Sequence, residues 1–151
     1  MGLVVKAEDH PNADKLYVLE VDLGEEKRRI VTGLKGWYSK EDLEGRKLVI
    51  VVNMKPAKFR GIKSEGMLLA AEEGGEVSLL VPEGEPGERV YFEGVKVNPK
   101  PKVTVEDIQK AEMYVDEEGR VRSKSTFDAL MRTSKGYVKV DKKMRPGAPV
   151  H

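Results

Sequence analysis

The first 97 residues are cut into short pieces. No uninterrupted apolar run among them exceeds five residues, and each soon meets Gly, Pro, Asn or Asp. A chain punctuated this often has no room for long helices and must assemble from short strands joined by tight turns. Strand-like runs fall at residues 3–5, 16–21, 28–34, 47–52, 67–71, 77–81 and 89–92. The run at 47–52 (KLVIVV) is continuous, as in a strand buried on both faces. One short helix interrupts them: Ser39 reads as its N-cap, Glu41 and Asp42 fill its first turn, and Gly45 stops it.

A five-strand core with a short helix between its third and fourth strands has the order of an oligonucleotide-binding (OB) barrel. This predicts an all-β domain over residues 1–97. The boundary falls at the extended connector Asn98-Pro99-Lys100-Pro101. Residues 98–151 are expected to form an α/β extension packed on the barrel. Thr104 caps a helix over 105–113, strand-like pieces follow at 113–115 and 136–140, and Pro146 and Pro149 keep the end irregular.

The absence of cysteine removes disulfides, thiolate nucleophiles and thiolate metal sites. With only His10 and His151, neither a histidine-rich metal site nor a Ser-His-Asp machine is expected, and no cofactor is implied. No membrane-length apolar run and no leader-like start is present, which predicts a soluble, cytoplasmic protein. A charged fraction of 35% with a single Gln (Gln109) fits a thermophilic source.

Net charge is +1, from 27 basic and 26 acidic residues, which as an average disfavours a nucleic-acid partner. The distribution says otherwise. Residues 1–97 hold 15 Lys/Arg against 18 Asp/Glu, whereas residues 98–151 hold 12 against 8. Within the first part, VNMKPAKFRGIK carries Lys55, Lys58, Arg60 and Lys63 and no acid. Pro56 and Gly61 mark it as a loop, able to bring several cations to phosphates along one strand. Beside them Asn53 can address a base edge or sugar hydroxyl, Ser64 a phosphate oxygen, and Met67 a base face. A second basic stretch runs from Arg120 to Arg145; Lys135 and Lys142 are its candidate RNA contacts. The segment His10-Pro11-Asn12-Ala13-Asp14 reads as a strand-to-strand corner, with His10 structural.

The strings HPNADKLYVLEVDLG, VTGL, NMKPAKFRGIKSEGMLLAA and PEGEPGERV resemble the tRNA-binding domain family. Its members include methionyl-tRNA synthetase C-terminal domains and beta subunits, free-standing tRNA-binding proteins, and endothelial-monocyte-activating polypeptide II. The resemblance spans about residues 2–97. It implies structure-specific, largely sequence-independent tRNA binding through Asn53, Lys55, Lys58, Arg60, Lys63, Ser64 and Met67, with an aminoacyl-tRNA synthetase as possible partner. Beyond residue 97, NPKPKV, a helix and a basic tail are similar to the extension that imitates a second subunit in the activating polypeptide, which implies a monomer. Members usually open with a D-x-R-V-G segment; this chain starts Met1-Gly2-Leu3, so a short first strand or a start upstream is expected. The competing reading is a protein-interaction module of the CsaA chaperone type, which shares the barrel. An enzyme is not expected, because no nucleophile–base pair stands out.

Overall fold

A computed structural model describes residues 1–96 and 101–151. The connector residues 98–100 and the boundary at residue 97 lie outside the described residues. Strands dominate: β1 (Gly2–Asp9), β2 (Tyr17–Asp22), β3 (Lys27–Thr32), β4 (Lys47–Leu48), β5 (Ile50–Val51), β6 (Ala57–Phe59), β7 (Ile62–Ser64), β8 (Met67–Leu68), β9 (Ala70–Glu73), β10 (Glu76–Val81) and β11 (Tyr91–Phe92). Helix α1 (Lys40–Leu43) lies between β3 and β4. The later part holds α2 (Val105–Lys110), β12 (Met113–Val115), β13 (Val121–Ser123), β14 (Ala129–Thr133), β15 (Gly136–Tyr137) and β16 (Lys139–Val140).

β1, β2 and β3 form an antiparallel meander extended by β4, in the order β3-β2-β1-β4. β2 and β3 pair without a break from Tyr17↔Thr32 to Asp22↔Lys27. β1 changes register between Val4 and Lys6, a bulge that curls the sheet. Ser39 and Asp42 form the reciprocal cap expected of α1. At the far corner two turns meet backbone to backbone: a Cβ on Gly87 would lie 2.6 Å from the Leu23 carbonyl oxygen, so only glycine fits.

Two apolar cores stand back to back. The first gathers Val4, Leu19, Val21, Ile30, Leu34, Leu43, Leu48, Leu68 and Leu79; the second gathers Val49, Leu69, Leu80, Met113, Val115, Val121, Val138 and Val150. Neighbours in sequence split between them (Leu48 from Val49, Leu68 from Leu69, Leu79 from Leu80), because alternate side chains of a strand point to opposite faces. The expected run at 47–52 is therefore buried on both sides only at Leu48–Val49, is broken into β4 and β5 around Val49, and emerges at Val52, which is 38% exposed.

The second core is completed by residues beyond 100. On one edge of β10, β16 pairs through Leu80↔Val140 and Val81↔Lys139. On the far edge of β9, the chain end enters: Ala70 and His151 exchange hydrogen bonds of 3.1 and 3.0 Å, and Glu72 N–H reaches the Pro149 carbonyl at 3.0 Å. The same segment pairs with β12, through Val115 N–H to Ala148 O and Val150 N–H to Met113 O. The irregular end read from Pro146 and Pro149 is thus corrected. Pro149 lacks a donor, but its carbonyl is the atom the ladder uses. Three further expectations differ. α2 stops at Lys110, since Glu112 takes φ 48° and Met113 begins a strand. β11 pairs with β14 of the later part. β13 and β14 were not anticipated, their polar residues hiding a half-buried alternation.

Polar groups reinforce the junction. The Tyr38 hydroxyl donates to Asp141 at 2.9 Å and accepts from Leu79 N–H at 3.0 Å. Burial, with the Asp141 carboxylate beside it, pushes this phenol above its ordinary pKa. Arg46 closes on Asp141 at 3.0 Å, and the Lys142 ammonium lies 4.2 Å from the Tyr38 ring centroid. In the β12–β13 turn, burial works against the Asp116 charge. The Arg120 N–H and Arg122 guanidinium outweigh it and hold the carboxyl below its ordinary pKa. No helix among the described residues is long and apolar enough to cross a membrane.

Leu80 is wholly buried in the shared core, so Leu80→Ala is expected to cost about 2–5 kcal/mol. Because neither core is closed without the other, denaturation followed by circular dichroism should show one shifted transition, not two. Asp116 titrates lower folded than unfolded, so its contribution is intact at neutral pH and disappears as acid carries the solution through its folded value. Asp116→Asn should flatten that acid limb in a melting-temperature series from pH 6 to pH 2.

Candidate nucleic-acid interface

The cationic segment is not an open loop. Ala57–Phe59 and Ile62–Ser64 pair as a hairpin, closed by Arg60 and Gly61 at φ 50° and 89°. Two central residues at positive φ are the twist-matched two-residue hairpin turn, which Gly61 favours. Pro56 precedes the strands, so both supposed breakers frame a ribbon. The register sets Lys58 opposite Lys63 and Phe59 opposite Ile62. Strand alternation places both ammonium groups on one face, with Arg60 at the tip. Like charges directly opposed in a hairpin are unfavourable, and an anion laid between them relieves that repulsion.

None of Lys55, Lys58, Arg60 and Lys63 has a carboxylate within ion-pair distance among the described residues. Arg29 is likewise exposed and unpaired by acid, and its backbone holds Glu65: Glu65 N–H reaches Arg29 O at 2.8 Å, and Arg29 N–H reaches the Glu65 carboxylate at 3.2 Å. The outer face of β1–β3 nearby differs. Lys6 pairs with Glu8 at 2.8 Å and Lys27 faces Glu20 at 3.9 Å, so this shallow groove alternates in sign. Lys55, Lys58, Arg60 and Lys63 thus form one acid-free cluster on the hairpin segment.

Three attachments fix the hairpin. At its base the Ser64 hydroxyl accepts from Val31 N–H at 3.0 Å and donates to Gly66 O at 2.9 Å. On its other strand His10, 5% exposed, reaches the Phe59 carbonyl through Nε2 at 2.7 Å. A carbonyl only accepts, so Nε2 carries the proton; Nδ1 then accepts from Asn12 N–H at 3.0 Å. Across the neck, the Arg28 guanidinium donates to the carbonyls of Val52 and Glu65, which flank the whole segment. Gly66 passes under this neck where a Cβ would lie 2.9 Å from the Val51 oxygen.

The structure thus divides the anticipated set. Lys55, Lys58, Arg60 and Lys63 are exposed together. Ser64 is buried with its hydroxyl engaged inside the fold, and Met67 pairs with Val51 and packs against the second core; both serve the hairpin's support. Asn53 is half-buried, its carbonyl accepting from Val103 N–H at 2.8 Å. Lys142 donates to the Trp37 carbonyl at 3.1 Å and lies over Tyr38, which ties it to the junction. Lys135 is exposed on the β14–β15 turn, beside Ser134, whose hydroxyl meets Glu88. Of the remaining tail cations, Arg120 and Arg122 pair with Asp116 and Arg132 with Glu93, whereas Lys139, Lys143 and Arg145 have no carboxylate within ion-pair distance among the described residues. Sequence reading missed Arg28 and Arg29, adjacent cations in a strand whose register beside β7 was not visible. It placed His10 as structural without its partner. Among the described residues no cluster of His, Asp and Glu could hold a metal.

A curled β-sheet carrying a rigid ribbon of uncompensated cations defines a small binding module of the kind that meets phosphate-bearing partners. The chain belongs to the family described as "Putative tRNA binding domain", matched over residues 1–89. It is 58% identical to a methionine–tRNA ligase of Thermococcus onnurineus (strain NA1) over 85 residues, which is 56% of this chain but 12% of that protein. In structure it is similar to the C-terminal domain of Plasmodium vivax p43, with a TM-score of 0.87 and 29% identity over 99% of this chain and 93% of that one. It is also similar to the CsaA chaperone protein of Picrophilus torridus, with a TM-score of 0.54 and 31% identity over 58% of this chain and 84% of that one.

His10→Ala removes the hairpin's clasp without removing a cation. Hydrogen exchange at residues 57–64 should then accelerate several-fold over the β2–β3 ladder, while global stability falls by about 1–2 kcal/mol. Exchange mass spectrometry of the two proteins checks both.

Proposed function

We propose that this chain binds tRNA through its cationic hairpin, reading phosphate positions and overall shape more than base sequence. The observation that carries this reading is the pair Lys58 and Lys63, opposed on one face of a fixed ribbon with no acid to neutralise them. Lys55, Arg60 and Arg29 extend the same surface, and Asn53 lies at its root. Family membership supports tRNA as the nucleic acid.

Methionine–tRNA ligases as relatives support a role beside a synthetase, as a subunit or a free-standing tRNA-binding protein that raises local tRNA concentration. The chain itself performs no chemistry in this reading and needs no cofactor. The earlier part of the chain supplies the RNA surface, and the residues beyond 100 cover the outer face of β9 and β10. That cover favours a monomer, since the apolar patch available for pairing two copies is already occupied. The likeness to CsaA chaperones supports a second reading, a protein-binding module. The same occupied face argues against it.

Filter binding of whole tRNAs over a salt series tests the mechanism. Neutralising about 3–5 phosphates predicts a log–log slope of about −2.5 to −4.5, similar for unrelated tRNAs. The double variant Lys58→Ala, Arg60→Ala should weaken every tRNA alike and reduce that slope by about 2. A flat salt series would refute the electrostatic grip. Suppression of client aggregation by RNA-free protein, undiminished in the double variant, would favour the chaperone reading.

A further inference from the structure

Phe127 is 99% exposed. The other exposed large apolar side chains among the described residues lie between 37% and 52%, each partly laid on its surroundings. An isolated half-exposed apolar residue is ordinary; a phenyl ring standing wholly clear of the surface is not. Its backbone adds to this. Phe127 has φ 56° and ψ 43°, and Asp128 follows at φ 61°. Two consecutive residues with side chains in the left-handed region are disfavoured, and such conformations persist only where the surroundings enforce them.

The surroundings here do enforce them. Asp128 N–H reaches Ser123 O at 2.9 Å, and the Thr126 hydroxyl donates to the same carbonyl at 3.2 Å. The Tyr114 hydroxyl donates to the Asp128 carboxylate at 2.7 Å, and Arg122 donates to the Asp128 carbonyl at 2.8 Å. The turn is therefore held on several sides while the ring it carries touches nothing. An aromatic presented on a fixed turn loses little freedom when a flat partner settles on it.

The position of the turn points to the partner. Ser123, Lys124 and Ser125 bond to Ala111 and Glu112 at the end of α2. The start of α2 follows Val103, whose N–H bonds the Asn53 carbonyl at the root of the hairpin segment. Helix α2 has six residues, so about 9 Å of helix links the two places. Lys124 opens the ring's turn with its ammonium 5.6 Å from the Tyr114 ring centroid, and Lys110 ends α2; neither has a carboxylate in ion-pair distance among the described residues. An exposed ring on a turn that also carries a lysine suits a nucleobase with its phosphates better than an apolar protein pocket.

We propose that Phe127 is a stacking platform for an unpaired base of the bound tRNA, a second contact one short helix from the hairpin. This rests on the tRNA reading above. It gives the later part of the chain an RNA-binding role beyond covering the barrel. It adds a base contact to the tail's candidate cations, of which Lys135 is exposed and Lys142 is tied to the junction.

The test compares the full chain with Phe127→Ala, Phe127→Trp and the Lys58, Arg60 double variant, each against whole tRNA and a fully paired RNA duplex of similar length. Phe127→Ala should weaken tRNA binding about 5- to 150-fold, leave the salt slope unchanged, and leave duplex binding unchanged. Phe127→Trp should restore tRNA affinity. Because the ring has no contacts to lose, melting temperatures of all three single-chain forms should agree. Wild-type tRNA affinity in Phe127→Ala, alongside a weakened double variant, would overturn the proposal while sparing the hairpin grip, and would make the ring a protein contact. Equal losses on tRNA and duplex would also overturn it. Absence of salt-dependent tRNA binding in the unaltered protein would remove both readings together.

Discussion

The structure depends on three strand segments with no solvent side. At Leu48–Val49, Leu68–Leu69 and Leu79–Leu80, successive side chains enter different cores. A sheet with one wet face tolerates errors of register on that face. A sheet buried on both faces does not, because a one-residue slip would exchange the two cores' contents. The later part of the chain is therefore a structural requirement of the earlier one. Without β12, β16 and the chain end, Val49, Leu69 and Leu80 would line an exposed apolar face. Two of the three segments are interrupted at this point, β4 from β5 at Val49 and β8 from β9 at Leu69, whereas β10 runs through Leu79–Leu80 unbroken.

Much of this was legible in the residues. The β2–β3 ladder, the capped helix, the twice-buried Leu48–Val49 within the run at 47–52 and the later addition that packs on the barrel follow from periodicity, turn residues and resemblance. What escaped was what only tertiary pairing decides. β13 and β14 alternate too weakly to announce themselves, and Pro149 disguised a strand because the ladder uses its carbonyl. At the interface, the four clustered cations were plain from composition. Ser64 and Met67 belong to the same string but face inward, and nothing in a linear pattern separates a hydroxyl that meets phosphate from one that meets Val31 N–H. Conversely, Arg28 secures the neck from a strand that is distant in sequence.

The net charge of +1 describes the surface poorly. Many of the cations are matched locally: Arg28 by Glu26, Arg46 by Asp141, Arg120 and Arg122 by Asp116, Arg132 by Glu93. Neutralised groups lose most of their long-range attraction, so local acid-free clusters such as the hairpin, and not the total, set the field close to the surface.

The neck under the hairpin has an evolutionary meaning. Arg28 joins the carbonyls of Val52 and Glu65, so the two ends of the segment are fixed from the barrel side, whatever lies between them. The exposed residues near the tip, Lys58 to Lys63, lie outside both cores, so the ribbon can change there while Ser64 and the His10 contact keep its base in place. Such a scaffold is modular: its reach and its complement of charge can diversify while the sheet that presents them stays the same.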